Sequence, residues 1–159
     1  MVANMSGAIP KKVVQYWDQD QIPDDVSMLM KSWVQVNPDI EYIRFSKKEA
    51  ASFLRAEYGE EVARLFETCA VPAMRSDFFR VGYILKNGGM YIDAATRAER
   101  QLPSEFFSDG VLRLMRKWHG GVWNGFIVAN KNDPFLGGVF QRIIENIRSR
   151  RKNDVWAVT

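Results

Sequence analysis

The chain has 159 residues, 47% of them hydrophobic and 26% charged, and its 22 Lys and Arg against 19 Asp and Glu leave a formal charge of +3. That is the length and composition of one globular domain; it excludes a chain dominated by disorder, and a charge this small does not announce a nucleic-acid binder. The one cysteine, Cys69, excludes an internal disulfide and a cysteine zinc cluster, and apolar runs of a few residues fall far short of the roughly 18 that a membrane-spanning helix needs.

Lys12 to Trp17 (KVVQYW), introduced by Pro10 and ended by the polar run Asp18 to Gln21, has the pattern of a buried strand. Asp24 or Asp25 can cap a helix in which Val26, Leu29, Met30 and Trp33 keep helical spacing, and Asn37-Pro38 stops it. Glu41 to Phe45 (EYIRF) follows as a second strand. Ser46 and Glu49 form a capping box ahead of a helix that reaches Tyr58-Gly59. A further helix spans about Glu60 to Cys69, with Cys69 on its apolar side as a core thiol. Pro72 opens a longer helix to Lys86, which Asn87-Gly88-Gly89 ends with residues that tolerate positive φ. Met90 to Asp93 (MYID) is a third strand. Strands alternating with helices predict an α/β sandwich around a mostly parallel sheet.

Beyond Asp93 the pattern predicts strands near Val111 to Met115 and Gly125 to Ala129, with a helix from Pro134 to about Arg150. Asp154 to Thr159 (DVWAVT) has the form of another element's beginning, so residues 1–159 are expected to make one domain that is incomplete at its C-terminal end. Between Arg142 and Lys152 five basic residues face only Glu145. This is the pattern of a solvated helix end, with peripheral contact to anionic lipid or an acidic partner as its alternative. The first residues, MVANMSGAIPKK, lack the apolar core of a secretory signal, and the expected compartment is the cytoplasm.

Two stripes share the helix from Pro72 to Lys86. Met74, Phe78, Val81 and Leu85 make a core face, and Ala73, Asp77, Arg80 and Ile84 repeat the spacing one residue earlier. Asp77 and Arg80, three apart, are neighbours on the helix flank, either as a structural ion pair or as ligand-holding groups. Tyr91 and Asp93 alternate to one side of the following strand, and Asp93 falls at its carboxyl end, where open α/β sheets bind ligands. A carboxylate there caps the next turn or meets a cation, a metal or a sugar hydroxyl. His119, between Trp118 and Gly120-Gly121, has no second histidine or carboxylate at ligand spacing and is expected to be a loop residue.

The stretch from Ala73 to Ala95, AMRSDFFRVGYILKNGGMYIDAA, resembles the signature of the DXD-containing glycosyltransferases of family 32: A-x-x-S-D-x-x-R, a Gly-Gly pair, then Y-x-D-x-D. The resemblance extends to Ile9-Pro10-Lys11 with Gln15 and Trp17, to Ser32-Trp33 with Asn37-Pro38-Asp39 and Glu41-Tyr42, to Asn124-Gly125-Phe126, and to Val155-Trp156 with Thr159. It implies a GT-A fold, a Rossmann-like sandwich that moves a sugar from a UDP- or GDP-sugar to a glycan or other hydroxyl acceptor with retention, as in polysaccharide biosynthesis. It also implies roles. Trp17 lies against the nucleobase; Asp77 and Arg80 hold the sugar hydroxyls and the phosphate side; Tyr91 and Asn124 join the donor site; Asp93 is the catalytic and metal-binding aspartate. Ala95 departs from the signature, because the family uses an aspartate there as the direct ligand of Mn²⁺ or Mg²⁺. The expected divalent cation is therefore bound more weakly and turnover reduced, or the chain is an inactive module that keeps the nucleotide pocket.

Overall fold

The computed structural model describes residues 7–149. Arg150, Arg151, Lys152 and the stretch from Asp154 to Thr159 lie outside the described residues. Five strands form one sheet in the order β2-β1-β3-β5-β4: β1 (Lys12–Tyr16), β2 (Glu41–Phe45), β3 (Gly89–Ile92), β4 (Arg113–Arg116) and β5 (Val122–Ala129). β1 pairs in parallel with both β2 and β3, whereas β5 pairs antiparallel with β3 and β4. Four strands therefore run one way and β5 runs against them, giving a mixed, mostly parallel sheet. The reversal has a local cause: Gly120 and Gly121 hold φ of 91° and 78°, which lets a short turn join β4 to β5 as a hairpin.

Successive residues of the strands feed two cores. Val14, Tyr16, Tyr91, Ile127 and Ala129 face the helices α2 (Lys47–Tyr58), α3 (Glu60–Thr68), α4 (Pro72–Asn87) and α6 (Pro134–Arg148). Val13, Met90, Ile92, Phe126 and Val128 face α1 (Asp24–Val36), through Trp33, and the short helix α5 (Glu105–Ser108), through Phe107. The chain thus crosses one face between β1 and β2 and the other between β2 and β3. β1 and β3 lie side by side at the point where the winding changes face, and in such sheets the crevice beyond the strands' carboxyl ends receives ligands.

Most predicted elements stand within two residues of their expected ends, and the differences are local. The capping box at Ser46 is formed, with Glu49 bonded back to the Ser46 amide and hydroxyl. Asp24 and Asp25 do not cap α1; Pro23 holds that position, and the two carboxylates lie in the first turn, where they oppose the positive end of the helix dipole. α5 has four residues, too short to show periodicity in sequence. Cys69 is buried just past the end of α3. No described helix is long and apolar enough to cross a membrane.

Candidate functional site

α4 is the helix on which the site is built. Pro72 starts it without using an amide donor, and Gly88 and Gly89, at φ 68° and 106°, turn the chain from its end directly into β3. A side chain at Gly89 would strike Lys12 of β1. β3 therefore enters the sheet beside β1, and Asp93 emerges next to Trp17 and Asp18. The pairing continues past both strands, the Trp17 amide donating to the Phe45 carbonyl and the Asp93 amide to that of Gly125.

At the centre lies Arg80, only 4% exposed. Its Nη2 stands 2.9 Å from Asp77 Oδ1, 3.1 Å from Asp93 Oδ1 and 2.8 Å from Ser76 Oγ. Nε donates to the Ser76 carbonyl at 3.2 Å and Nη1 to Asn124 Oδ1 at 3.3 Å, while Asn124 Nδ2 donates to Asp77 Oδ1 at 3.1 Å. The guanidinium also sits 4.7 Å from the centre of the Tyr91 ring. Burial pushes the Asp77 carboxyl above its ordinary range, against the pull of Arg80. Removing one partner from such a buried cluster is strongly destabilising, because it strands the others away from water.

Above Arg80 opens a cleft of about 370 Å³, lined by Trp17, Asp18, Ser76, Arg80, Asp93 and Ala95 among others. The Trp17 ring packs on Val26, Met30 and Ala94, and its indole N–H is buried with no hydrogen-bond partner among the described residues. A neighbouring, mainly apolar pocket of about 310 Å³ lies between the β4–β5 hairpin and α6 and is bordered by Asp77 and Asn124. Of the six expected site residues, Trp17, Arg80 and Asp93 line the cleft. Asp77 and Asn124 border the second pocket and reach the first through Arg80. Tyr91 lines neither; it is fully buried beneath Arg80, bonded to Ser76 Oγ at 2.8 Å and Asp93 Oδ1 at 3.3 Å, so it braces the cluster from below.

Sequence reasoning missed a second ion pair on the wall of the cleft. Arg75, buried, donates through Nε to Asp18 Oδ1 at 2.6 Å and through Nη2 to Asp18 Oδ2 at 2.9 Å, with Nη1 on the Cys69 carbonyl. The Tyr16 hydroxyl donates to the same carboxylate. The Arg75 hydrogen bonds hold the Asp18 carboxyl below the usual carboxylate range. Asp18 and Arg75 lie 57 positions apart, a separation that leaves no short-range pattern.

The divalent ion implied by the DXD signature does not fit these donors. At the end of β3 stands one carboxylate, whose Oδ1 already meets Arg80 and Tyr91 and whose Oδ2 lies against Gly125. Ala95 supplies no oxygen. An ion of this kind at a diphosphate takes one or two carboxylates together with waters and phosphate oxygens, and here the one carboxylate at the strand end is already shared with Arg80 and Tyr91. His119 is exposed in the hairpin turn.

A sequence model described as a glycosyltransferase sugar-binding region containing a DXD motif matches residues 23–109. Inositol phosphoceramide mannosyltransferase 3 of Schizosaccharomyces pombe is 27% identical over 134 residues, covering 84% of this chain and 37% of that protein. Mannosyl phosphorylinositol ceramide synthase SUR1 of Saccharomyces cerevisiae is 30% identical over 128 residues, covering 80% and 33%. The chain thus spans a third to two fifths of the length of these relatives. Among solved structures, PaToxG glycosyltransferase matches with a TM-score of 0.77 at 18% identity, over 95% of this chain and 64% of that one. The catalytic domain of alpha-toxin from Clostridium novyi matches with a TM-score of 0.64 at 10% identity, over 92% and 59%. At these identities the structural likeness establishes the fold.

Proposed function

From the premise that the chain belongs to the family of glycosyltransferases with a DXD-containing sugar-binding region, and has its GT-A fold, we propose that it binds a nucleoside diphosphate sugar and transfers the sugar to a hydroxyl acceptor with retention. The observation that carries this reading is the Arg80 cluster, a buried guanidinium held by Asp77, Asp93 and Asn124 on the floor of a cleft that Trp17 walls at the switch point of the sheet. The nucleobase lies on the Trp17 ring, a large flat surface for stacking. Arg80 presents its remaining donor capacity to the diphosphate, a planar fork suited to phosphate oxygens. Asp77 and Asn124 accept and donate to sugar hydroxyls on the far side of Arg80, and Asp93 meets the ribose or sugar. The names of the relatives make mannose the first sugar to try, and a glycan or an inositol-bearing lipid the first acceptors.

A thermal-shift panel of UDP- and GDP-sugars tests the reading, since a ligand that binds only the folded state raises its melting temperature. A shift with at least one sugar nucleotide, abolished in Arg80→Ala, is the expected result. No shift with any of them contradicts it. Ala95 favours a second reading, a module that binds the nucleotide without transferring sugar; donor binding with no donor hydrolysis and no transfer distinguishes it.

A further inference from the structure

The cationic capacity of Arg80 is already shared. Asp77 and Asp93 bring two carboxylates to one guanidinium, and Arg80 is the only cationic side chain that lines the cleft among the described residues. Arg75 is committed to Asp18. Lys117 acts on Asp77 from the second pocket and does not line the cleft. A diphosphate brought to this floor meets a guanidinium already shared between two carboxylates, so a further cation on the cleft side is needed to balance it, and the donors at the end of β3 are a poor fit for a divalent ion.

The loop after β3 supplies one. Arg97 lies two residues past Ala95, so its Cα is within about 7 Å of that of Ala95. Its side chain is exposed and makes no ion pair or hydrogen bond with any described residue. Its backbone is fixed from both sides. Trp33 Nε1 donates to the Thr96 carbonyl at 3.0 Å, the Ala98 amide donates to Ser32 Oγ at 2.8 Å, and Thr96 Oγ1 donates back to the Asp93 carbonyl. The Leu102 amide donates to Asn37 Oδ1 at 2.7 Å, closing the strap. Ser32, Trp33 and Asn37, buried on or next to α1, thus hold a surface loop in one shape beside the cleft. A cation on a loop ordered before binding carries less ordering cost on contact.

We propose that Arg97 takes the place of the divalent ion in this chain, meeting the donor's diphosphate from the rim while Arg80 meets it from the floor. The proposal rests on the donor-binding reading above. It is tested by calorimetric titration of the 159-residue chain with UDP, GDP, uridine and guanosine, each in EDTA and in Mn²⁺. The wild type is expected to bind one of the diphosphates equally well in both. Arg97→Ala should lower that affinity about tenfold or more, the weight of one hydrogen bond between charged groups, and leave the matching nucleoside unchanged. Arg97→Lys should retain part, and Arg100→Ala, past the Ala98 pin, should match wild type. Ala95→Asp added to Arg97→Ala should regain affinity in Mn²⁺ only. Wild-type affinity that rises tenfold with Mn²⁺, or an Arg97→Ala protein equal to wild type, overturns the proposal and leaves the donor site standing. A wild type that binds neither diphosphate overturns both.

Discussion

Asp18 lines the cleft and Asp77 the pocket beside it, and the two respond to acid with opposite signs. Arg75 depresses the Asp18 carboxyl, so the stability Asp18 contributes is complete above its ordinary value of 3.8 and is lost as pH falls through the lower folded value. Burial raises Asp77, so its ionised form opposes folding, and its contribution weakens as pH rises from 3.8 through the higher folded value. Denaturant titration of Asp18→Asn against wild type should show two proteins that converge as pH drops below about 4; a difference independent of pH would mean that the Asp18–Arg75 pair is not ionic in the folded state. Gly125 makes a sterically sharper case. A Cβ there would sit 2.2 Å from Asp93 Oδ2 and 2.4 Å from Trp123 Cε2, distances that real atoms do not keep. Gly125→Ala should therefore destabilise by about 1 to 3 kcal/mol, as overpacking does, and weaken nucleotide binding by moving Asp93. Unchanged melting and affinity would show that the carboxylate has room to leave. Asp77, Arg80 and Asp93 were legible in sequence because helical spacing and strand position are short-range patterns. Tyr91 shares the side of β3 with Asp93, as alternation predicts, but lies beneath Arg80 and off the cleft, since alternation tells which way a side chain faces and not what covers it.

At the scale of elements, α4 shows the limit of a stripe argument. Periodicity marks one core face with Asp77 and Arg80 on its flank, yet Phe78, Phe79, Val81 and Ile84 are all buried, because the sheet covers one side of the helix and α2, α3 and α6 cover the other. Gly82 permits that closeness; a side chain there would meet Phe140 at 2.9 Å. The buried flank changes the meaning of the Asp77–Arg80 pair, from a surface contact of little weight to a cluster whose disruption strands charge. α1 supplies the strap on the loop after β3: Ser32, Trp33 and Asn37 are among the residues that carry the family resemblance, but the hydrogen bonds they make some 65 positions away leave no short-range pattern. Ser32→Ala leaves the buried Ala98 amide without its acceptor, at a cost of about 1 to 3 kcal/mol. Amide hydrogen exchange across residues 96–102 should quicken in that variant while β1 and β3 keep their protection; equal protection throughout would mean that the strap does not order the loop.

The candidate site lies where the winding changes face; the sequence reading puts Asp93 at the carboxyl end of its strand and does not tell which strands stand beside it. Nor does it tell that β5 is reversed, because Gly120-Gly121 marks a turn without telling the direction in which the next strand is inserted. The basic C-terminal region divides: Arg148 is paired with Glu61 at 2.8 Å, a structural use of one of its cations, and Arg142 remains exposed. The second pocket, bounded by the hairpin and α6, shares no lining residue with the cleft and gives the molecule an internal control for where a nucleotide binds. The central claim is that a nucleoside diphosphate occupies the cleft between the ends of β1 and β3 and the start of α4. Its most direct test is a ¹H–¹⁵N correlation spectrum of the chain titrated with UDP and GDP, with the Trp17 indole signal assigned through Trp17→Phe. The account predicts that one nucleotide shifts the Trp17 indole and the amides of Asp18, Ala94 and Ala95, and leaves Leu114, Phe135 and Val139 in place. Shifts confined to those last three residues, or none with either nucleotide, would contradict it.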